Sequence, residues 1–211
     1  MTIIVHHLEN SRSQRILWML EEIGLPYEIR RYERDRRTML APRELRAVHP
    51  LGKSPVIEDS DDPGRVIAET GAIVEYLVDK ADGRLGAPAN RDGALAYRFW
   101  LHYAEGSMMP PLLVKLVLTR IPLIGNRVAK RLQPMIDVHL DFVEAALTTR
   151  QWFAGGAITA ADIMMSFPLE AARGRAGLDV SRPHTITWLD RIHARPAYRR
   201  ALAAGGPYAY A

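Results

Sequence analysis

The sequence predicts two parts: a small α/β unit of order β-α-β-α-β-β-α, followed by an all-helical unit. Three observations lead there. Short β-branched runs occur only in the first third of the 211 residues. From about Arg91 onward the apolar residues recur at three- and four-residue steps, and no convincing strand remains. Between them, "DGRLGAPANRDG" is rich in Gly, Ala, Asp and Pro, the composition of a boundary. The expected division is residues 1–82, a linker over 83–90, and 91–211. A sheet unit of ~80 residues buries only about 60% of its unfolded surface, so a second core beside it is physically welcome.

Each element has its own signal. "TIIVH" (Thr2 to His6) is a β-branched strand. "SRSQRILWMLEEIG" puts Ile16, Leu20 and Ile23 on one helical face, leaves Glu21 and Glu22 outside, and stops at Gly24. "PYEIRRY" alternates Tyr27, Ile29 and Arg31, completing a β-α-β unit. Pro42 to His49 reads as a short helix opened by proline. "PVIED" and "RVIA" are strands joined by the turn-rich "SDDPG", hence an antiparallel hairpin. "ETGAIVEYLVDKA" returns to helical spacing with Ile73, Val74 and Leu77. In the second part, "RDGALAYRFWLHYAEGSMMPPLLVKLVL" predicts a long helix kinked near Pro110 and Pro111. Val128, Leu132, Ile136, Leu140, Val143 and Leu147 form one buried stripe. "GAITAADIMMSFPLEAARGRAGL" is a further helix, and "TITWLDRIHARPAYRRAL" gives one or two more.

Composition removes several function classes. Hydrophobic residues make up 48% of the chain, ordinary for a protein with a packed core. No apolar run approaches the ~18 residues of a membrane-spanning helix, and "MTIIVHHLENSRSQR" is too short in apolar residues for a signal peptide, so a cytoplasmic protein is expected. There is no cysteine, which excludes disulfides, thiolate metal sites and a thiol nucleophile of the protein's own. The net charge is +4 and the pI about 9.5. Arg30, Arg31, Arg34, Arg36 and Arg37 cluster, but Glu28, Glu33 and Asp35 are interleaved, which reads as a solvated loop and not as a nucleic-acid stripe. His6 and His7 are neighbours on a strand and point to opposite faces, so no metal site is expected there. His102 reads as a partly buried structural histidine. In "ITAADI", Thr159 and Asp162 form an S/T-x-x-D capping arrangement, a folding signal and not a catalytic one.

Four segments carry a family likeness: "LENSRSQRILWMLEEIGLPYE", "HPLGKSPVIED", "AETGAIVEYL" and "ITAADI". With these, in this order and spacing, the chain resembles a cytosolic glutathione transferase along nearly its whole length, most like bacterial and fungal members. The resemblance implies a thioredoxin-like N-terminal domain that binds glutathione and an all-α C-terminal domain that carries the electrophile pocket. It also implies a homodimer, and an activity that conjugates glutathione to a hydrophobic electrophile in detoxification, with reduction of organic peroxides beside it. Glutathione is the co-substrate; no metal, nucleic acid or membrane partner is expected.

The resemblance also assigns residues. It implies a cis bond at Ser54–Pro55, with the N–H and C=O of Val56 facing outward to take glutathione as an added strand. Glu69 and Thr70, at a helix start, are expected to hold the γ-glutamyl end, where exposed N–H groups suit a carboxylate and Glu69 suits an ammonium. The family usually has Ser at the Thr70 position. Ser54 and Pro55 are expected to bind glutathione together with Val56, and Lys53 is expected to reach the glycyl carboxylate. The thiol-activating donor belongs at the start of the first helix: Ser11 is the expected hydroxyl, with Asn10 and Ser13 as alternatives and Arg12 assisting. A pocket wall is expected from Tyr97, Trp100, Tyr103 and Met108. The tail is expected to be mobile, with Tyr208 or Tyr210 able to fold over the pocket. Two other readings stay open: a glutathione-dependent disulfide or peroxide reductase without enzyme cysteines, and a non-catalytic binding protein on the same fold.

Overall fold

The computed structural model describes residues 2–210. Its first part follows the predicted order: β1 (Ile3–Leu8), α1 (Ser13–Ile23), β2 (Tyr27–Tyr32), α2 (Leu45–Val48), β3 (Val56–Asp59), β4 (Val66–Ala68) and α3 (Thr70–Lys80). The four strands form one sheet in the order β2-β1-β3-β4, with β1 and β2 parallel and the other two pairings antiparallel. The parallel pair needs the α1 crossover, and the short "SDDPG" link permits only the hairpin. Ile16, Leu17, Leu20 and Ile23 of α1 and Ile73, Val74 and Leu77 of α3 are fully buried, as their spacing requires. Gly24 ends α1 in the left-handed region at φ 66°, its N–H returning to the Leu20 carbonyl.

The second part is helical: α4 (Arg91–Tyr103), a π turn (Ala104–Met108), α5 (Met109–Thr119), α6 (Gly125–Lys130), α7 (Gln133–Thr148), α8 (Ala160–Arg175), α9 (Pro183–His193) and α10 (Pro196–Gly205). The helical discontinuity expected at Pro110 and Pro111 lies one turn earlier, in the π turn. Both prolines sit in the first turn of α5, where a missing N–H breaks no helical bond. The single stripe is also divided. Ile136, Leu140, Val143 and Leu147 are buried on α7, but Val128 belongs to the separate α6 and is exposed. No helix among the described residues is long and apolar enough to cross a membrane.

The chain divides into two compact units, but the boundary is not the expected one. The first runs to Gly86 and takes back His193–Ala209; the second is Ala87–Ile192 with Tyr210. The last helix therefore leaves the 91–211 block and joins the sheet unit. Its buried face of Ala197, Tyr198, Ala201 and Gly205 packs on α1, with Tyr198 edge-on to Trp18 at 5.3 Å between ring centroids. Arg195 grips the Glu22 carboxylate through two bonds of 2.5 and 2.7 Å, and the Trp18 indole N–H donates to the same carboxylate at 2.8 Å. Periodicity reveals that a helix has an apolar face, not which partner covers it.

Glu22→Ala is expected to strip Arg195 and Trp18 of their acceptor together. The loss is about 2–3 kcal/mol, or roughly 5–10 °C of melting temperature for a chain this long. Arg195→Lys, which cannot bond in two places at once, should fall between that variant and the parent in a thermal melt.

Candidate active site

Strand register gathers the candidate residues at one end of the sheet. His6 of β1 is opposite Val56 of β3, and Val56 is opposite Ala68 of β4. The turn after β1 (Glu9 to Arg12), the chain entering β3 (Lys53 to Pro55) and the start of α3 (Glu69, Thr70) are thus neighbours. The Ser54 hydroxyl fastens two of them, donating to the His6 carbonyl at 2.8 Å. The Ser54–Pro55 bond is cis.

One expectation is corrected by that register. Val56 is not an open strand end: it is 1% exposed, and β3 runs between β1 and β4 with Val56 paired on both sides. Ser54 is the residue that precedes the ladder and stands outside every strand pairing. The residue left outside the ladder beside the proline is therefore Ser54, which is partly buried, while Pro55 and Val56 are buried. Lys53 is exposed next to it.

The α3 end carries backbone strain. Glu69 is the N-cap of α3 at φ 69°, a left-handed conformation that a residue with a Cβ adopts at a cost of about 1–3 kcal/mol. Its side chain makes no cap bond, and Glu69 is exposed, while Thr70 begins the helix and is buried. The first N–H groups of α3 are thereby left with no cap from Glu69.

At the β1 turn the three donor candidates separate by what they already hold. Asn10, at φ 48°, accepts the Ala209 N–H on its side-chain oxygen at 2.7 Å, so the tail is tied down at this point. Ser13 has no exposed surface, and its hydroxyl lies 2.9 Å from His7 Nδ1 and 3.2 Å from the Leu8 N–H that donates to it. Ser11 keeps 6% exposure, and its contacts run inward only: Ser13 Oγ at 2.7 Å and the Ser13 N–H, which donates at 3.2 Å. Ser11 is the hydroxyl nearest the surface.

In the arginine cluster Arg30, Arg31, Arg36 and Arg37 are exposed, as expected of a solvated stretch, and Arg34 is partly buried. Arg34 folds back over this turn, donating to the Glu9 and Asn10 carbonyls at 3.2 and 3.3 Å, while Arg31 donates to the Ala204 carbonyl at the end of α10 and Arg30 pairs with Glu58. His6 and His7 do face opposite ways. His6 bonds Tyr32 and Glu58 at 2.8 and 2.7 Å; His7 bonds Ser13 and the Gly205 carbonyl.

In the helical unit Tyr97, Trp100 and Met108 are buried at 6% exposure or less. Trp100 belongs to an aromatic cluster with buried Phe153, half-buried Tyr103 and the exposed Phe99 and Phe142. Tyr103 is half-buried, and its phenol is 2.6 Å from His139 Nδ1. His102, expected partly buried, is exposed.

Comparison with known proteins fits this arrangement to a family. Residues 11–80 match the model "Glutathione S-transferase, N-terminal domain", and residues 109–196 match "Glutathione S-transferase, C-terminal domain". Glutathione S-transferase 3 of Schizosaccharomyces pombe is 35% identical, over 94% of this chain and 86% of that protein. The chain belongs to the glutathione S-transferase family. Among solved structures, a glutathione S-transferase from Actinobacillus pleuropneumoniae is 35% identical with a TM-score of 0.84, covering 95% of this chain and 91% of that one. A glutathione transferase family member from Pseudomonas fluorescens, solved with two glutathione molecules bound, is 27% identical with a TM-score of 0.79, covering 95% and 92%. For this transferase, sequence reasoning counts Ser54 among the glutathione-binding residues but gives the strand-like backbone contact to Val56, and it misses one feature, His7 beneath Ser13. The alternation of β1 carries part of that feature, since it puts His7 on the face opposite His6.

Proposed function

We propose that this transferase binds glutathione at the sheet end formed by the β1 turn, Ser54 and the start of α3, and uses it as a thiol nucleophile. The observation that supports the reading is the register His6–Val56–Ala68, which brings to one end of the sheet the strand ends next to which Ser11, Ser54 and Glu69 lie in the chain. The cysteinyl backbone pairs with Ser54 in the manner of an added strand. The γ-glutamyl carboxylate takes the first N–H groups of α3 beside Thr70, and its ammonium takes Glu69. Lys53 meets the glycyl carboxylate, and Arg12 adds positive potential near the sulfur. The strain stored at Glu69 fits a residue held in place for a ligand.

A thiol of pKa about 8.5 is mostly protonated at neutral pH, and each unit of lowering needs about 1.36 kcal/mol of preference for the thiolate. The Ser11 hydroxyl supplies that preference at the start of α1. With an aryl halide, the thiolate forms the carbon–sulfur bond, the halide leaves, and the thiol proton has already gone to solvent. Peroxide reduction would consume two glutathiones, yielding the disulfide, an alcohol and water, because the protein has no cysteine to contribute. The electrophile is hydrophobic, with Tyr103 the candidate contact that retains exposed surface. Leu95, Phe99, Val138 and Phe142 expose apolar surface on α4 and α7, and we assign that face to a homodimer. The proposal includes a cytoplasmic role in detoxification, as the family resemblance implies.

The test is a pH titration of the protein with glutathione, read by thiolate absorbance, together with turnover of an aryl halide, an organic hydroperoxide and a mixed disulfide. Saturable uptake, a lowered thiol pKa and aryl-halide turnover are expected. Absence of uptake would reduce the chain to a scaffold, and turnover of the disulfide alone would favour the reductase.

A further inference from the structure

Beneath the Ser11 hydroxyl lies a hydrogen-bond chain that the proposed function does not use. It runs from Ser11 Oγ to Ser13 Oγ at 2.7 Å, from Ser13 Oγ to His7 Nδ1 at 2.9 Å, and from the His7 ring to the Gly205 carbonyl at the end of α10. Its direction can be worked out from donors and acceptors. A carbonyl only accepts, so the His7 nitrogen that meets Gly205 carries the ring hydrogen. Burial, with the Arg31 guanidinium of β2 nearby, holds the imidazole down to about 4, so at neutral pH there is one ring hydrogen and Nδ1 is bare. Ser13 therefore gives its single hydrogen to Nδ1 at 2.9 Å, the nearer of the two acceptors within its reach, the other being the Leu8 carbonyl at 3.3 Å. One of its lone pairs is already taken by the Leu8 N–H. What remains toward Ser11 is an acceptor, so the hydrogen in the 2.7 Å contact belongs to Ser11.

We propose that His7, acting through Ser13, is a positioning residue that keeps the Ser11 hydroxyl hydrogen turned inward until a thiolate is present. The inference rests on the reading that Ser11 faces the glutathione sulfur. In the resting protein Ser11 offers an oxygen lone pair outward, which suits the S–H of an arriving thiol. Once that proton has gone to solvent, the hydroxyl rotates and donates to the sulfur. The rotation gives up the bond to Ser13, a cost that the His7–Ser13 pair imposes on every thiolate.

This predicts an effect of unusual sign. Ser13→Ala removes the inward acceptor and leaves the Ser11 hydrogen outward from the start. His7→Phe leaves the Ser13 hydrogen divided between the Leu8 carbonyl at 3.3 Å and Ser11 Oγ at 2.7 Å, so the Ser11 hydrogen is outward for part of the time. The thiol pKa of bound glutathione should then fall in Ser13→Ala by about one unit below the parent value, a tenfold gain in ionisation, and by a smaller amount in His7→Phe. His7→Asn, which keeps an acceptor oxygen near the Nδ1 position, should retain the parent value. Mere structural damage would weaken glutathione binding or raise the pKa and would not produce a fall. The experiment is the thiolate-absorbance titration of glutathione on the parent, Ser13→Ala, His7→Phe, His7→Asn and Ser11→Ala. If Ser13→Ala and His7→Phe leave the pKa unchanged or raise it while Ser11→Ala raises it, the positioning role is overturned and the proposed function stands. If Ser11→Ala has no effect, the assignment of Ser11 fails first, and the relay proposal falls with it.

Discussion

Replacing Asp162 with alanine should lower the melting temperature by roughly 8–16 °C. The carboxylate is fully buried and accepts four hydrogen bonds: the Phe153 N–H at 3.0 Å, the Thr159 N–H at 2.9 Å, the Thr159 hydroxyl at 3.0 Å and the Trp188 indole N–H at 3.3 Å. It thereby caps α8, whose sixteen residues are mostly buried, and ties the cap to α9 and to the loop at Phe153. Alanine leaves those donors without a partner in a dry interior, where each costs about 1–3 kcal/mol. At 2–4 °C per kcal/mol, a total of about 4 kcal/mol gives the stated drop. Asp162→Asn keeps one acceptor oxygen but turns an NH2 toward an N–H donor, so it should melt between the parent and the alanine variant.

The same residue shapes the pH profile. Burial pushes the Asp162 carboxyl up to about 6 in spite of its donors. Between about pH 4 and 6 the folded chain therefore holds a proton that the unfolded chain has lost. The stabilisation is full below about 4, declines as pH rises through 6, and is constant above. His7 acts oppositely in the same window. With its folded value depressed to about 4, its contribution is present above about 6.5 and is lost as pH falls. Subtracting the Asp162→Asn melt from the parent melt cancels the histidine, and the difference should narrow between pH 4 and 6.

How much of this the sequence could reveal depends on whether a feature is local. The strands, the crossover helix and the capping pair Thr159 and Asp162 are written in spacings of two to four residues, and the structure has all of them. The identity of a covering partner is not local. The apolar face of α10 was legible, but its burial on α1 rests on Glu22 meeting Arg195, 173 positions away. The expectation of an open Val56 fails for a related reason: a proline announces a turn, but whether the next residue is free depends on strands on both sides. Tyr97 and Trp100 have the helical spacing of a pocket wall and of a core equally, and burial assigns them to the core. Asn10, Ser11 and Ser13 were inseparable in sequence because all three can serve a helix start. They part only when Asn10 is seen to hold the tail and Ser13 to hold His7.

Ser11→Ala is expected to reduce kcat/KM toward an aryl halide by about one to two orders of magnitude near neutral pH. A hydrogen bond to an ionised partner contributes about 1.5–3 kcal/mol, so removing it moves the bound thiol up by about one to two pKa units, toward its free value. The nucleophile is the thiolate, so the rate follows the ionised fraction. This ties the effect to pH in one direction: the deficit should be largest below the parent's thiol pKa and should shrink above about pH 9, where glutathione ionises unaided. Ser11→Thr, which keeps the hydroxyl, should recover most of the activity if its methyl group is accommodated. Asn10→Ala, which removes the acceptor for the Ala209 N–H and puts alanine at φ 48°, should lower stability but leave the pH profile in place. A deficit in Ser11→Ala that persists undiminished at high pH would show that the hydroxyl shapes the binding turn and does not stabilise the thiolate. The donor would then have to be sought among backbone N–H groups at the start of α1, where the helix end supplies positive potential without any side chain.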